Sequence, residues 1–207
     1  DAGWIARDSL LLRHRLTRVG QQVIAVRISP RSLLESPESF RRYLVLEGAP
    51  EALARYEREG KLPVDSVTRR YTKYAKTIIQ VGNGGPRAYT RREGHFLEFI
   101  PLSDPSKLKV GDRLQIQLLA DGVPVEGAHI TAGSISNSQA ARVDTARARQ
   151  ASMGDSTLIT DSRGAAQITI SRPGIWNVRT LQIMPAVKGS GADWDVHWAT
   201  LVAEVGR

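Results

Sequence analysis

The chain contains no cysteine. That absence excludes disulfides, thiolate-bound zinc, iron–sulfur clusters and thiol catalysis. No apolar run approaches the roughly 18 residues needed to span a bilayer as a helix. Aromatic residues are few, at 6% of 207 residues, so each of the four tryptophans has to be placed individually. No G-x-S-x-G elbow is present. Gly82-Asn83-Gly84-Gly85 runs into Pro86 rather than Lys-Ser/Thr, so it is no phosphate loop. No two of the four histidines (His14, His95, His129, His197) lie three or four residues apart, so no helical metal motif exists. The chain opens at Asp1 without a methionine, as expected of a mature or trimmed product.

What is present is a charge imbalance. The formal net charge is +8. Residues 1–95 hold 18 Lys+Arg and 10 Asp+Glu, whereas residues 96–207 hold 11 of each, so the whole excess lies in the first half. Such a half can meet anionic lipid, polyanionic polymer or nucleic acid, or simply solvate the surface. Tyr43, Tyr56, Tyr71, Tyr74 and Tyr89 interleave with it, but Tyr71 and Tyr74 fall on an apolar stripe, which argues against nucleic acid.

Residues 10–29 read as two strands, the second over Val23 to Ile28. Ser36-Pro37-Glu38 supplies a helix cap, a first-turn proline and an acid at the positive end of the dipole. Pro50-Glu51 opens a second helix, ended at Gly60. Val67, Tyr71, Tyr74 and Ile78 are spaced four, three and four, which predicts a third helix with Arg69, Arg70, Lys73 and Lys76 beside or opposite the stripe. After the glycine-rich loop the period becomes two. Phe96 to Ile100 is a strand ended by Pro101, with Glu98 facing out. Leu114, Ile116 and Leu118 alternate with Gln115 and Gln117. Asp121-Gly122 turns a hairpin whose return runs from Val123 to Ala132. Residues 133–156 read as a long excursion with a short helix over 139–150. Ala166, Ile168 and Ile170 alternate, Trp176 and Val178 share a face, and a last strand runs from Trp198 to Val205. The expected fold is mainly β: an immunoglobulin-like or transthyretin-like sandwich with a helical insertion. Residues 1–92 form an N-terminal region of strands and helices, and residues 93–207 the sandwich domain.

FRRYLVLEG (40–48), RRYTKYAK (69–76), GHFLEFIPLSDPSKLKVGD (94–112), LADGVPVEGAHITA (119–132), TDSRGAAQITISRPGIWNVR (160–179) and ADWDVHWATLVAEV (192–205) together resemble a bacterial extracytoplasmic family of unknown function. Its members are often described as periplasmic components of nickel or cobalt uptake. The resemblance implies a periplasmic location and a membrane transporter component as partner, and the lack of a catalytic constellation in the sequence implies a non-enzymatic role.

Asp193, Asp195 and His197 form a D-x-D-x-H alternation that an extended chain would point to one side, with His95 as a fourth donor. Nickel favours imidazole with oxygen or nitrogen donors, so these four are the candidate metal ligands. The competing reading makes both aspartates loop caps. Glu93, Glu98 and Asp104 are close in sequence, but paired catalytic carboxylates need an opposed geometry that sequence does not show, and no catalytic residues are assigned. Trp176 is expected in the core and Trp194 exposed in a loop. The leading expectation is a binding or accessory protein outside the cytoplasm. Its alternatives are an envelope interaction module for anionic polymers and a carbohydrate-binding module.

Overall fold

The structure is a computed structural model that describes residues 15–59, 65–135 and 156–206. It is mainly β, with two sheets facing each other and a helical insertion between the first two strands. Strand β1 (Gly20–Glu35) leads into α1 (Pro37–Leu46) and α2 (Pro50–Glu59), and then into β2 (Val67–Val81). There follow β3 (Leu97–Pro101), a 3-10 turn (Pro105–Lys107), β4 (Arg113–Ala120), β5 (Val123–Pro124) and β6 (His129–Ile135). The described chain closes with β7 (Ser156–Ile159), β8 (Ala165–Thr169), β9 (Gly174–Pro185) and β10 (Trp194–Val205).

Six strands form the larger sheet in the order β1-β2-β10-β9-β6-β7. The smaller sheet places β3 on one edge of β4 and β5 and β8 on the other. Tyr74, Ile78, Trp176, Val178, Ala199 and Leu201 from the larger sheet meet Leu97, Phe99, Leu114, Ile116, Leu118 and Ile168 from the smaller one in a single core. The alternating apolar faces expected for β4, β8 and β9 are the buried faces. The boundary expected at residue 92 falls between β2 and β3, and strands from both sides of it share the larger sheet.

The third helix is a correction: residues 67–81 are strand β2. From Thr72 on its buried positions are Thr72, Tyr74, Lys76 and Ile78, with period two, while Val67 at its start is buried on the other face. The inward threonine and lysine disguised the alternation, and the tyrosines happened to fall at helical spacing. The segment is rich in β-branched and aromatic residues, which fit a pleated, half-buried surface. Tyr71 lies on the other face, with Lys73 5.8 Å from its ring centre.

Lys76 and Glu98 are a second correction. Glu98 was expected to face out and Lys76 to lie beside or opposite a helical stripe, yet their side chains are 3% and 4% exposed and form an ion pair of 2.6 Å. Glu98 also accepts from the Glu93 and Gly94 amides at 2.8 and 3.2 Å, and Lys76 donates to the Arg91 carbonyl at 2.8 Å. A buried pair persists when such extra bonds satisfy its remaining donors and acceptors.

The turns behave as their residues dictate. Asp121 (φ 49°) and Gly122 (φ 78°) are both left-handed, as a type I′ hairpin requires. The return strand is much shorter than expected. After Pro124 the chain leaves β4 and re-enters as β6 of the other sheet, pairing with β9 and β7. In Thr160-Asp161-Ser162-Arg163-Gly164, the Asp161 carboxylate accepts from the Arg163 and Ala165 amides, each at 2.8 Å. Gly164 packs so closely that an added Cβ would lie 2.6 Å from the Leu118 carbonyl oxygen.

Of the first expected pair of strands, β1 is the second, and residues 15–19 are not strand. The expected helix over 139–150, the helix end at Gly60, His14 and residues 10–14 lie outside the described residues. The expected excursion begins later than thought, since Gly133, Ser134 and Ile135 continue β6, and Ser156 already belongs to β7.

Candidate functional site

The helical insertion covers part of the outer face of the larger sheet. Ser36 caps α1, its hydroxyl accepting from the Ser39 amide at 3.2 Å, and Pro37 fills the first turn. At the other end Gly48 takes φ 64°, its amide donates to the Val45 carbonyl, and the Ala49 amide donates to the Leu44 carbonyl. This pair of bonds is a Schellman closure, which lets α2 start immediately at Pro50 and gives a sharp corner. Phe40, Leu44, Ala52 and Tyr56 of the helices pack on Val67 and Trp194 as a second apolar cluster. Trp194, expected exposed, is therefore buried at 5%, with ring centres 5.5 Å from Phe40 and 6.1 Å from Tyr56. Strand β10 starts four residues earlier than its sequence suggested, and that carries Trp194 out of the loop.

Beside this cluster the α1–α2 corner overhangs a cleft of about 390 Å³. Strand β6 pairs with β9 only from Arg179 back to Ile175; Thr180 still donates its hydroxyl to the His129 carbonyl at 2.6 Å, and among the described residues Leu181 to Pro185 have no strand partner on that edge. The cleft occupies this gap, between the helical corner and the turn after β5. Ala49, Leu181, Ile183 and Trp198 give it an apolar lining. Glu47, Glu51 and Glu126 supply carboxylates, opposed by the Arg179 guanidinium. Glu51 on α2 and His129 on β6 approach to 3.8 Å, linking the two walls. The Gln182 side-chain oxygen is buried without a hydrogen-bond partner on the inner side of β9, where Gln182 lies opposite His197. The cleft thus offers acceptors, an aromatic face and an open backbone edge in one place.

The sequence-predicted metal residues are distributed differently. Asp195 and His197 share the inner face of β10, as their alternation implied. Asp195 is held by a two-pronged pair with Arg70, at 2.6 and 2.8 Å. Asp193 precedes the strand and accepts from the Thr68 amide at 2.7 Å. His95 and His197 both contact Tyr74, at ring-centre distances of 5.0 and 6.2 Å, and His197 lies 4.3 Å from Phe96. Burial pushes both imidazoles below their ordinary value of 6.5, against the pull of Glu98 on His95 and of Asp195 on His197. Both are thereby held neutral, the form a metal needs. Both aspartates are engaged with protein donors, and among the described residues no group of three or more His, Asp or Glu is assembled around one point.

The remaining acids noted in the sequence have structural partners. Glu98 holds Lys76, and Asp104 caps the 3-10 turn by accepting from the Ser106 amide at 3.0 Å. Asp104 also accepts from Gln21, whose side-chain oxygen takes the Ala88 and Tyr89 amides. Glu93 pairs with Arg91 at 2.9 Å. Sequence reasoning missed the cleft entirely, since its lining runs from Leu46 to Trp198; the legible hint was the Gly48-Ala49-Pro50 corner. Among the described residues no helix is long and apolar enough to cross a membrane.

No curated protein and no solved structure matches the chain. Residues 19–183, which run from just before β1 into β9, match a protein family, and the chain belongs to that family, whose description is "Domain of unknown function (DUF4198)".

Proposed function

We propose that the chain is a non-enzymatic binding or accessory protein acting outside the cytoplasm, and that its ligand sits in the cleft beneath the α1–α2 corner. The observation that carries this reading is the cleft itself. Its volume of about 390 Å³ falls in the range of small-molecule sites, and its apolar walls hold a few convergent polar groups. The sandwich, which we take as immunoglobulin-like, serves as a rigid frame for it. The lack of cysteine suits a compartment where thiols oxidise.

A link to nickel or cobalt uptake is the second reading, and it rests on the two neutral imidazoles around Tyr74. To complete a site, Asp195 would leave Arg70 and Asp193 would leave the Thr68 amide, so metal binding would loosen the start of β10 and its pairing with β2. A membrane transporter component is the partner this reading implies. The basic first half adds an electrostatic means of lying against an anionic envelope polymer, with Arg27 and Arg31 on the edge strand β1.

One experiment separates the two readings. A ligand that binds the folded chain raises its melting temperature in proportion to the logarithm of its concentration over Kd. Thermal shifts with a set of polar solutes and with nickel should be compared for wild type, Trp198→Ala and His197→Ala. A solute response lost in Trp198→Ala supports the cleft. A nickel response lost in His197→Ala supports the metal reading. Solute responses unchanged by Trp198→Ala would overturn the cleft as the site.

A further inference from the structure

The loop after β2 carries chemistry that neither the cleft nor the imidazoles use. Val81 ends the strand, and Gly82-Asn83-Gly84-Gly85 follows as an exposed loop that closes on the start of β1. Asparagine is one of the thermally least durable side chains. Its weakness is intramolecular: the backbone nitrogen of the next residue can reach the side-chain carbon by closing a five-membered ring. Access, backbone freedom and the engagement of the two reacting groups decide whether it does.

Asn83 and Gly84 meet all three conditions. Both are exposed. Gly84 has φ 80°, and a Cβ added there would meet nothing within 4 Å, so no side chain screens its nitrogen and its backbone is free to turn. Among the described residues neither the Asn83 carboxamide nor the Gly84 amide makes a hydrogen bond. The surroundings are tied down instead. The Gln80 side chain donates to the Gly82 and Gly84 carbonyls at 3.1 and 2.9 Å, and the Gln21 amide donates to the Pro86 carbonyl at 2.9 Å. These bonds end on oxygens and leave the reacting nitrogen unengaged. Asn177 is the contrast. It lies within β9 between Gly133 and Val202, its side-chain oxygen is buried, and the β-branched, fully buried Val178 follows it.

We propose that Asn83-Gly84 is a site of spontaneous deamidation, with water as the co-reactant. The Gly84 nitrogen gives its proton to hydroxide and attacks the Asn83 Cγ. That C–N bond forms, the bond to the side-chain nitrogen breaks, and ammonia leaves. Water then opens the cyclic imide. Cleavage at Cγ leaves aspartate in an ordinary backbone. Cleavage at the main-chain carbonyl leaves isoaspartate, and the backbone then runs through an additional methylene. Nothing is oxidised or reduced: an amide and water become an acid and ammonia. Either product places a carboxylate in the basic half of the chain and lowers the net charge of +8 by one. Isoaspartate also lengthens the backbone between the two carbonyls that Gln80 holds, and so releases the loop from the start of β1.

The full chain should be aged in mildly alkaline buffer beside a free peptide of residues 80–87, then mapped by mass spectrometry with electron-transfer fragmentation, which tells the two acids apart. The expected result is a mixture of aspartate and isoaspartate at position 83, formed at a rate comparable with the peptide's and rising with pH, while Asn177 stays intact. Asn83→Gln should yield no acidic form over the same period, because its longer side chain needs a larger ring. In the isoaspartate form, separated by ion exchange, the Gln21 amide should exchange up to about tenfold faster, the size of one lost hydrogen bond. Asn83 surviving in the folded chain while the peptide converts would overturn the proposal, since the fold would then shield the pair. Conversion of Asn177 ahead of Asn83 would overturn it as well. An unaltered Gln21 exchange rate in the isoaspartate form would overturn the release of the loop.

Discussion

The two faces of the six-stranded sheet are covered in different ways. On the inner face the smaller sheet lies against β2, β10 and β9 and buries one continuous core that runs from Tyr74 to Val205. On the outer face α1 and α2 cover one end with a smaller cluster around Phe40 and Trp194, and a cleft opens beside it. The inner face is closed so completely that even its charges, Lys76 and Glu98, are shut in with each other. On the outer face Arg41–Glu57 and Arg42–Glu38 remain largely exposed at the rim, while Arg69–Glu35 is covered where Arg69 lies over the Tyr43 ring of α1. The contrast separates the part of the molecule that sets stability from the part that is free to bind.

The largest test of that contrast is the buried pair. Glu98→Ala leaves the Lys76 ammonium without its counter-charge in the core and should cost about 3–5 kcal/mol in denaturant unfolding. The double variant Lys76→Met with Glu98→Leu should recover most of that loss, because an apolar pair of similar volume removes the unpaired charge. If Glu98→Ala unfolds at the wild-type denaturant midpoint, the inner face is wetter than described.

On the outer face, Ser36→Ala removes the α1 cap and should cost about 1 kcal/mol. The loss should appear as faster amide exchange in α1 and α2, with the sandwich strands unchanged, since the insertion has its own small cluster. Uniformly faster exchange in both layers would show instead that the helices and the sandwich open as one unit.

The smallest effect concerns His95 and His197. Burial lowers both from 6.5, so in the acid range the unfolded chain binds protons that the folded chain refuses. Stability should therefore be full above about pH 6.5 and fall as the pH drops, levelling off below the lowered folded values. The double variant His95→Gln with His197→Gln should flatten the melting temperature between about pH 7 and 5. An unchanged slope would place the acid sensitivity elsewhere.

Local chemistry was legible in the sequence and distant pairing was not. Ser36-Pro37, Asp121-Gly122 and the Asp161–Gly164 turn each carry their instruction within a few residues, and each formed as its residues dictate. Strand β2 did not declare itself, because its inward lysine is explained by Glu98, 22 residues further on. Trp194 read as a loop residue because the helices that bury it precede it by well over 100 positions. The same limit hid the cleft. Asp195 and His197 alternate as expected, but the Arg70 that occupies Asp195 comes from a strand taken for a helix.

The position of β10 bears on how the molecule assembles. It comes last in the described chain, yet it lies between β2 and β9, parallel to the first and antiparallel to the second. The β1–β2 hairpin can close early from contacts along one stretch of chain, but among the described residues β10 is its only strand link to the rest of the sheet. Until β10 arrives, β2 holds an unpaired edge, and the layer exists as two separate pieces. Long-range pairings of this kind slow folding, because the loop they close must be ordered before the contacts repay it. The final strand therefore acts as a keystone, and an error in synthesis or cleavage within Trp194–Val205 would leave two half-built sheets rather than one shortened sheet.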